Sequence, residues 1–367
     1  MKVALVYDRV NKWGGAERVL LALHDLFPKA PLYTSVYDSK RAEWAKDFTI
    51  KTSFLQYFPF ATSAHEYYAL LMPLAFESFS FDEYDLVISV TSEAAKGVIT
   101  KPHTKHICYC LTPTRYLWSG YNDYFKNHLL RFTSTPVVSY LRFWDKIASK
   151  RPDAYIAISK EVRARIKKYY DRESEVVYPP VDLSNSKSQI INSKQSLNTK
   201  YQIPKTGFFL VVSRLVPYKR IDIAIEACNV LGLPLVIVGV GSEENHLRNI
   251  AGKTVTILGN LTDSEVVEYY KACRAVIFPG NEDFGLVMAE AQRFGKPVIA
   301  YKAGGALEIV GHETGDFFYP QTAEGLIKIL KTFDEKKFSA SLCIANAKKF
   351  SLGFFKKNFM TKIESLL

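Results

Sequence analysis

Apolar and polar positions alternate along this chain in two successive sets. In the first, short apolar runs at Val3–Tyr7, Leu32–Val36, Leu86–Val90, His106–Leu111 and Ala154–Ile158 are separated by polar or helical stretches. That rhythm predicts parallel strands joined by helical crossovers. From about Gly15 to Phe27, the residues Val19, Leu20, Leu23, Leu26 and Phe27 form one helical stripe. Val176–Asp182 reads as the last strand of the first domain and its exit. A second set follows, with strands predicted at Phe208–Ser213, Leu235–Val238, Val255–Leu258, Ala275–Phe278 and Val298–Tyr301. Helices are predicted from about Arg220 to Leu231, Glu243 to Ile250 and Asp263 to Lys271, the third opened by a Thr262/Glu265 capping box. The expectation is an α/β protein of two similar, facing, Rossmann-like doubly wound domains, 1–182 and 183–352. Between them, residues 183–207 are rich in Ser, Asn, Lys and Gln and read as a linker. Phe354, Phe355, Phe359, Met360, Ile363 and Leu366 recur at helical spacing, so a terminal helix over 353–367 is expected to pack back on the first domain.

One stretch departs from the rhythm. Between Tyr121 and Arg151, Leu129, Leu130, Phe132, Val137, Val138, Tyr140, Leu141, Phe143 and Trp144 interleave with Lys126, Arg131, Arg142, Lys146 and Lys150. Pro136 is expected to break the segment into two helical pieces. Basic residues on one side and aromatics on the other suit an interfacial membrane helix. They equally suit a core-facing helix pair with a basic outer face, and the pattern leaves both readings open. Charge adds to the picture. The chain carries a formal net charge of +11, and the segment from Lys96 to Arg172 holds 16 Lys and Arg against 5 Asp and Glu, which equals the whole excess. Arg163, Arg165, Lys167 and Lys168 contribute to it. Such a field points to an anionic partner, or to a solvated face kept for solubility. No nucleic-acid-binding motif accompanies it.

No continuously apolar window is long enough to span a bilayer, and the N-terminus lacks the features of a signal peptide. The expected location is cytoplasmic, peripherally associated with the inner face of the cytoplasmic membrane. Of the five cysteines, Cys108, Cys110, Cys228 and Cys273 lie in or beside apolar runs and read as buried thiols of a reducing compartment. Cys108-Tyr109-Cys110 is a weak metal signal, because no second ligand pair follows. No convincing metal-binding carboxylate pair stands out.

Candidate chemistry lies where strands end, the ligand side of an open α/β sheet. Gly14-Gly15 follows the first strand and could admit a diphosphate, although a plain tight turn explains it as well. It is not the G-x-G-x-x-G fingerprint, which removes support for hydride transfer. Ser213-Arg214-Leu215-Val216-Pro217-Tyr218-Lys219-Arg220 places cations after a strand, where they could neutralise a diphosphate. Pro279 to Val298 joins an apolar strand to a helix starting at Gly285, with Glu282 and Asp283 in the loop and Glu290 inside the helix. Acids before a helix cap it without any ligand. The helix start also offers free N–H groups that suit a phosphate.

Glu-Asp-Phe-Gly followed by Glu290 resembles the E-x7-E signature of retaining glycosyltransferases of the GT-B type, family four. The likeness runs from about Val3 to Tyr319 and includes Gly304-Gly305-Ala306-Leu307-Glu308. It implies a GT-B fold. It places Glu282 against the donor sugar hydroxyls, Glu290 on the nucleotide ribose, and Arg214 and Lys219 on the donor diphosphate. Backbone groups at Phe284, Gly285 and Leu286 become donor contacts, with Gly14 and Gly15 facing them. Ile107-Cys108-Tyr109-Cys110, Arg115-Tyr116, Tyr178 to Asp182 and Leu215 to Arg220 resemble mannosyltransferases that build bacterial O-antigen and exopolysaccharide units. The resemblance implies transfer with retention from a nucleotide sugar, GDP-mannose favoured, to a glycan or polyprenyl-diphosphate-linked acceptor. The leaving phosphate takes the acceptor's proton, and no metal or other cofactor is required. One departure stands at Leu111-Thr112-Pro113, where many relatives have His-Thr-Pro with the histidine reaching the donor sugar. A UDP-sugar enzyme of the same fold, and an inactive donor-binding scaffold subunit, remain the alternatives.

Overall fold

Thirteen short strands pair in two sheets, all in parallel, among the residues described by the computed structural model: 1–125, 127–181, 203–204 and 207–366. The linker expected over 183–207 falls almost wholly outside the described residues, as do Asp182, Lys126 and the side chains of Leu129 and Leu130. The chain divides into two compact units, Met1–Pro180 with the chain from Phe355 onward, and Val181–Phe354.

The first unit contains β1 (Val3–Tyr7), β2 (Leu32–Thr34), β3 (Ile50–Thr52), β4 (Leu86–Thr91), β5 (Lys105–Cys110), β6 (Ala154–Ala157) and β7 (Glu175–Val176), in the order β3-β2-β1-β4-β5-β6-β7. Strands β1 and β4 are buried along their whole length. Helices cover both faces of such a sheet, which is why these strands read as continuous apolar runs. The second unit contains β8 (Phe209–Val212), β9 (Leu235–Val238), β10 (Val255–Leu258), β11 (Ala275–Phe278), β12 (Val298–Tyr301) and β13 (Gly315–Phe318), in the order β10-β9-β8-β11-β12-β13. In each sheet the order reverses once, between β1 and β4 and between β8 and β11. Crossovers leave opposite faces at that point, so a crevice opens beyond the carboxyl ends of those strands.

A buried carboxylate ties the first reversal together. Asp8, just past β1, accepts from Thr91 Oγ1 at 2.8 Å and from the backbone N–H groups of Ser92, Glu93, Ala94 and Ala95 at 2.7–3.1 Å. The chain leaving β4 is therefore wrapped around the end of β1. A buried charge pair continues the network. Lys96 Nζ lies 2.5 Å from Asp145 Oδ1, with both side chains sealed from solvent, and it also donates to the Glu93 carbonyl. Asp145 accepts further from Thr114 Oγ1 at 3.1 Å and Trp118 Nε1 at 2.7 Å. The segments following β4 and β5 are thereby anchored to one helix.

That helix, His128–Ala148, is continuous through Pro136 and corrects the expected break into two pieces. Pro136 is exposed. Phe132, whose carbonyl loses its partner to the proline, is exposed as well, so the helix can continue with water available to that turn. The side chains also sort differently from an ordinary core-facing helix. Val138, Leu141 and Trp144 are buried, whereas Phe132 is 79% exposed, Tyr140 51% and Phe143 68%. The Arg142 guanidinium instead folds onto the Tyr121 and Trp118 rings, at 4.6 and 5.7 Å.

The terminal helix runs over Leu352–Leu366. Within the first unit, Phe355 and Phe359 are fully buried with their rings 5.9 Å from that of Tyr109. Lys356 pairs with Asp25 at 3.0 Å and Lys362 with Glu175 at 3.2 Å. All five cysteines are free and buried. Burial pushes the Cys228 and Cys273 thiols up to about 12, so they behave as small apolar side chains.

Removing one partner of the buried pair leaves an uncompensated charge. Asp145→Ala is expected to cost about 3–5 kcal/mol of stability in urea unfolding. Lys96→Met combined with Asp145→Leu should recover only part of it, because Thr114 and Trp118 still lose their acceptor. A single variant as stable as the wild type would contradict this account.

Candidate functional site

At the second reversal, β8 is followed by Ser213 and Arg214. Leu215, fully buried, pins the loop, and its N–H donates to the Val240 carbonyl at 2.9 Å. A Cβ on Gly239 would stand 1.8 Å from the Ser213 carbonyl oxygen, so the chains after β8 and β9 touch backbone to backbone. Pro217 opens a tight turn over Pro217–Lys219, and Arg220 turns left-handed (φ 52°) to start the helix Ile221–Leu231. Its fork is occupied by Asp222 at 3.0–3.2 Å. That occupation leaves Arg220, the third cation of the stretch, already matched by a neighbouring carboxylate.

After β11 the loop runs from Pro279 to Gly285. Gly285 is the left-handed cap (φ 93°) of the helix Leu286–Arg293. Phe284 is buried against the Phe350 ring, 5.4 Å away, and holds the loop down. Gly305, after β12, donates its N–H to the Glu282 carbonyl at 2.8 Å. A Cβ there would lie 2.4 Å from Phe284 Cα. The run Gly304-Gly305 thus clamps the Glu282 backbone from one side.

Three of the sequence-identified residues meet here. Lys219 Nζ pairs with Glu282 Oε1, and the two side chains are 12% and 20% exposed. Tyr218 connects them to Arg214. Its hydroxyl accepts from Arg214 Nη2 at 2.6 Å, and its ring lies 5.3 Å from Lys219 Nζ. The group Arg214–Tyr218–Lys219–Glu282 brings two cations and one carboxylate to the carboxyl ends of β8 and β11. Phe284, Gly285 and Leu286 follow directly in the same loop and first helical turn, where an α-helix leaves N–H groups without intrahelical partners.

Glu290 lies deeper, on the buried side of the helix Leu286–Arg293. It is 5% exposed, and its Oε2 accepts from the Tyr270 hydroxyl at 2.8 Å. Tyr270 is itself fully buried and stacks on Phe294 at 5.6 Å. Gly14 and Gly15 belong to the first unit, at the start of the helix Gly15–Leu26 beyond β1. Gly14 is extended there rather than left-handed, and a Cβ on it would sit 3.1 Å from Glu17 Oε2. Glu17 is buried and accepts from the Tyr7 hydroxyl at 2.7 Å. Burial pushes its carboxyl up from the ordinary value. Leu111 continues from β5, half-buried, with its N–H on the Thr91 carbonyl at 2.8 Å.

Tyr218 and Tyr270 escaped the reading of the sequence. Tyr218 stood between the two cations and was the available signal. Tyr270 lies in the helix predicted from Asp263 to Lys271 and carried no local signal. Among the described residues, no group of three or more His, Cys, Asp or Glu is arranged to hold a metal ion.

Residues 193–350 match the family model described as "Glycosyl transferases group 1", and Arg214, Lys219, Glu282 and Glu290 all lie within the matched span. O-antigen chain mannosyltransferase C of Escherichia coli is 26% identical over 204 residues, covering 52% of this chain and 51% of that protein. Human alpha-1,3/1,6-mannosyltransferase ALG2 is 25% identical over 319 residues, 78% of this chain and 74% of its own. This chain spans about half the length of the first curated relatives it matches. Anabaena HepE, solved in complex with UDP and glucose, superposes with a TM-score of 0.68 over 100% of both chains at 22% identity. The two Rossmann-like sheets therefore form the GT-B fold.

The Tyr270 hydroxyl is a donor to a buried carboxylate. Tyr270→Phe is expected to destabilise the second unit by about 1–3 kcal/mol, the cost of leaving a buried acceptor short of a partner. Thermal unfolding with an unchanged midpoint would contradict that role.

Proposed function

We propose that this chain is a retaining glycosyltransferase that moves a hexose from a nucleotide sugar, mannose from GDP-mannose, to a glycan or polyprenyl-diphosphate-linked acceptor in surface polysaccharide synthesis. The observation that carries the reading is the meeting of Arg214, Lys219 and Glu282 at the β8/β11 reversal. Two cations beside a helix start suit a diphosphate, and a carboxylate beside them suits sugar hydroxyls. The group 1 family model over this region supports the reaction class. The bacterial and human mannosyltransferases support the sugar. A UDP-sugar donor is the second reading, favoured by the UDP that HepE was solved with.

In this reading the acceptor hydroxyl oxygen bonds to the anomeric carbon while the bond from that carbon to the diphosphate oxygen breaks. The electron pair stays on the leaving oxygen, and a phosphate oxygen takes the hydroxyl proton. Arg214, Lys219 and the amides of Phe284, Gly285 and Leu286 stabilise the charge that builds on the diphosphate. That assignment requires no metal. Glu282 orients the sugar, and Glu290 holds the ribose from its seat against Tyr270.

The reading extends to the membrane. No helix among the described residues is long and apolar enough to cross a bilayer. The helix His128–Ala148 exposes Phe132, Tyr140, Phe143 and Ile147 along one side. Tyr57, Phe60, Tyr67, Leu70 and Leu74 are exposed in the same unit. Aromatics with adjacent basic residues suit the interface of an anionic leaflet. We assign this face to peripheral contact with the inner surface of the cytoplasmic membrane, where a lipid-linked acceptor is presented.

Calorimetry with GDP and with UDP tests the donor site. Arg214→Ala and Lys219→Ala should each weaken binding by about 1.5–3 kcal/mol, the range for charge-assisted hydrogen bonds. Glu282→Ala should nearly abolish transfer in a folded protein. Affinities equal to wild type would move the phosphate site elsewhere. For the membrane, the protein should float with anionic vesicles at low salt and be released at high salt. Because Arg142 is folded onto aromatic rings, the discriminating variant is Phe132→Ser with Phe143→Ser, which should reduce flotation without unfolding. Wild-type protein that never floats would overturn this part of the reading.

A further inference from the structure

The contact between Lys219 and Glu282 has a cost for any phosphate that uses Lys219. The ammonium is already matched by a carboxylate, and both side chains are mostly buried, where charges are screened weakly. Tyr218 holds Lys219 under its ring and Arg214 at its hydroxyl, so the two cations are confined to one small region. The Glu282 backbone is fixed as well, by the hydrogen bond from Gly305. The loop that carries the carboxylate is therefore held beside Lys219.

We infer that Glu282 is the internal competitor of the nucleoside diphosphate for Lys219, and that this competition favours release of the product over retention. The inference rests on the donor-site reading above and adds a second task for the same carboxylate. An intact nucleotide sugar has its terminal phosphate esterified. Transfer breaks that ester, and once the proton is lost the product carries one more negative charge at the end nearest Lys219. A terminal phosphate loses its second proton at a pKa of about 6. A fixed carboxylate beside the shared cation repels the more charged species more strongly. Donor and product thus meet the same cations but are weighted differently, and the difference appears only after the reaction.

Glu282→Gln tests this, because the amide keeps the shape and loses the charge. At pH 7.5, calorimetry should show GDP and UDP binding about tenfold more tightly to the variant than to wild type, which corresponds to about 1.4 kcal/mol. The corresponding nucleotide sugars should gain less. Dissociation of the diphosphate, followed by stopped flow, should slow in proportion. The gain should shrink between pH 7.5 and pH 5.5 as the terminal phosphate is protonated, a change that a structural role would not produce. Adding Lys219→Met to the variant should erase the gain. Equal or weaker diphosphate binding by a folded Glu282→Gln protein would overturn the inference and make the carboxylate a positioning group for Lys219. Wild-type protein that binds neither GDP nor UDP would instead overturn the donor-site reading itself.

Discussion

Backbone packed against backbone is the constraint on which the second domain's chemistry depends. The loops after β8, β9, β11 and β12 approach so closely that Gly239 and Gly305 leave no room for a Cβ. Such proximity is what converts separate strand ends into one site. Arg214 and Lys219 come from one loop and Glu282 from another, 63 residues apart in the case of the ion pair. A cation that must meet a diphosphate needs a fixed position more than it needs strength, because a preorganised charge has no reorganisation left to do when the substrate arrives. Tyr218 supplies that fixity for two cations at once.

The first domain solves a similar geometric problem with charge instead of glycine. The end of β1 and the chain leaving β4 are joined by the Asp8 carboxylate and its ring of backbone donors, and Lys96–Asp145 extends the tie to the helix His128–Ala148. A buried ion pair is a poor source of net stability, since desolvation offsets most of the attraction. What it provides is registration. Asp145 accepts from Thr114 and Trp118 as well, so three separate donors register the helix against the loops. One outcome of that seating is the outward line of aromatic side chains on the opposite side of the helix.

Most of the architecture was legible because strands buried on both faces leave continuous apolar runs, and because glycines and prolines punctuate their ends. β3 and β13 were not. Ile50–Thr52 is at most half-buried at an edge, and Gly315–Phe318 contains a glycine and an aspartate, so neither makes the apolar signal of its neighbours. Arg214, Lys219 and Glu282 were named through a family resemblance resting on spacing; the structure pairs Lys219 with Glu282 and links Arg214 to them through Tyr218. Tyr270 was not, because its partner Glu290 lies 20 residues away on another helix, and such a pairing has no local signature. Pro136 misled for a physical reason. A proline inside a helix removes one hydrogen bond and crowds the preceding turn, and whether the helix continues past it depends on surroundings that no local pattern reveals.

The helix Leu352–Leu366 has a consequence for the order in which the protein is made. The core of the first unit includes Phe355 and Phe359 packed on Tyr109. A ribosome translates those phenylalanines only after the entire second unit has been synthesised. Domains commonly fold as they emerge, the N-terminal one first. Here the N-terminal unit emerges first yet must wait, with the Tyr109 side of its sheet uncovered, until the chain has passed through the second unit and returned. During that interval the nascent protein displays an apolar surface that the finished one conceals, and this is the window in which a cellular chaperone has most to do.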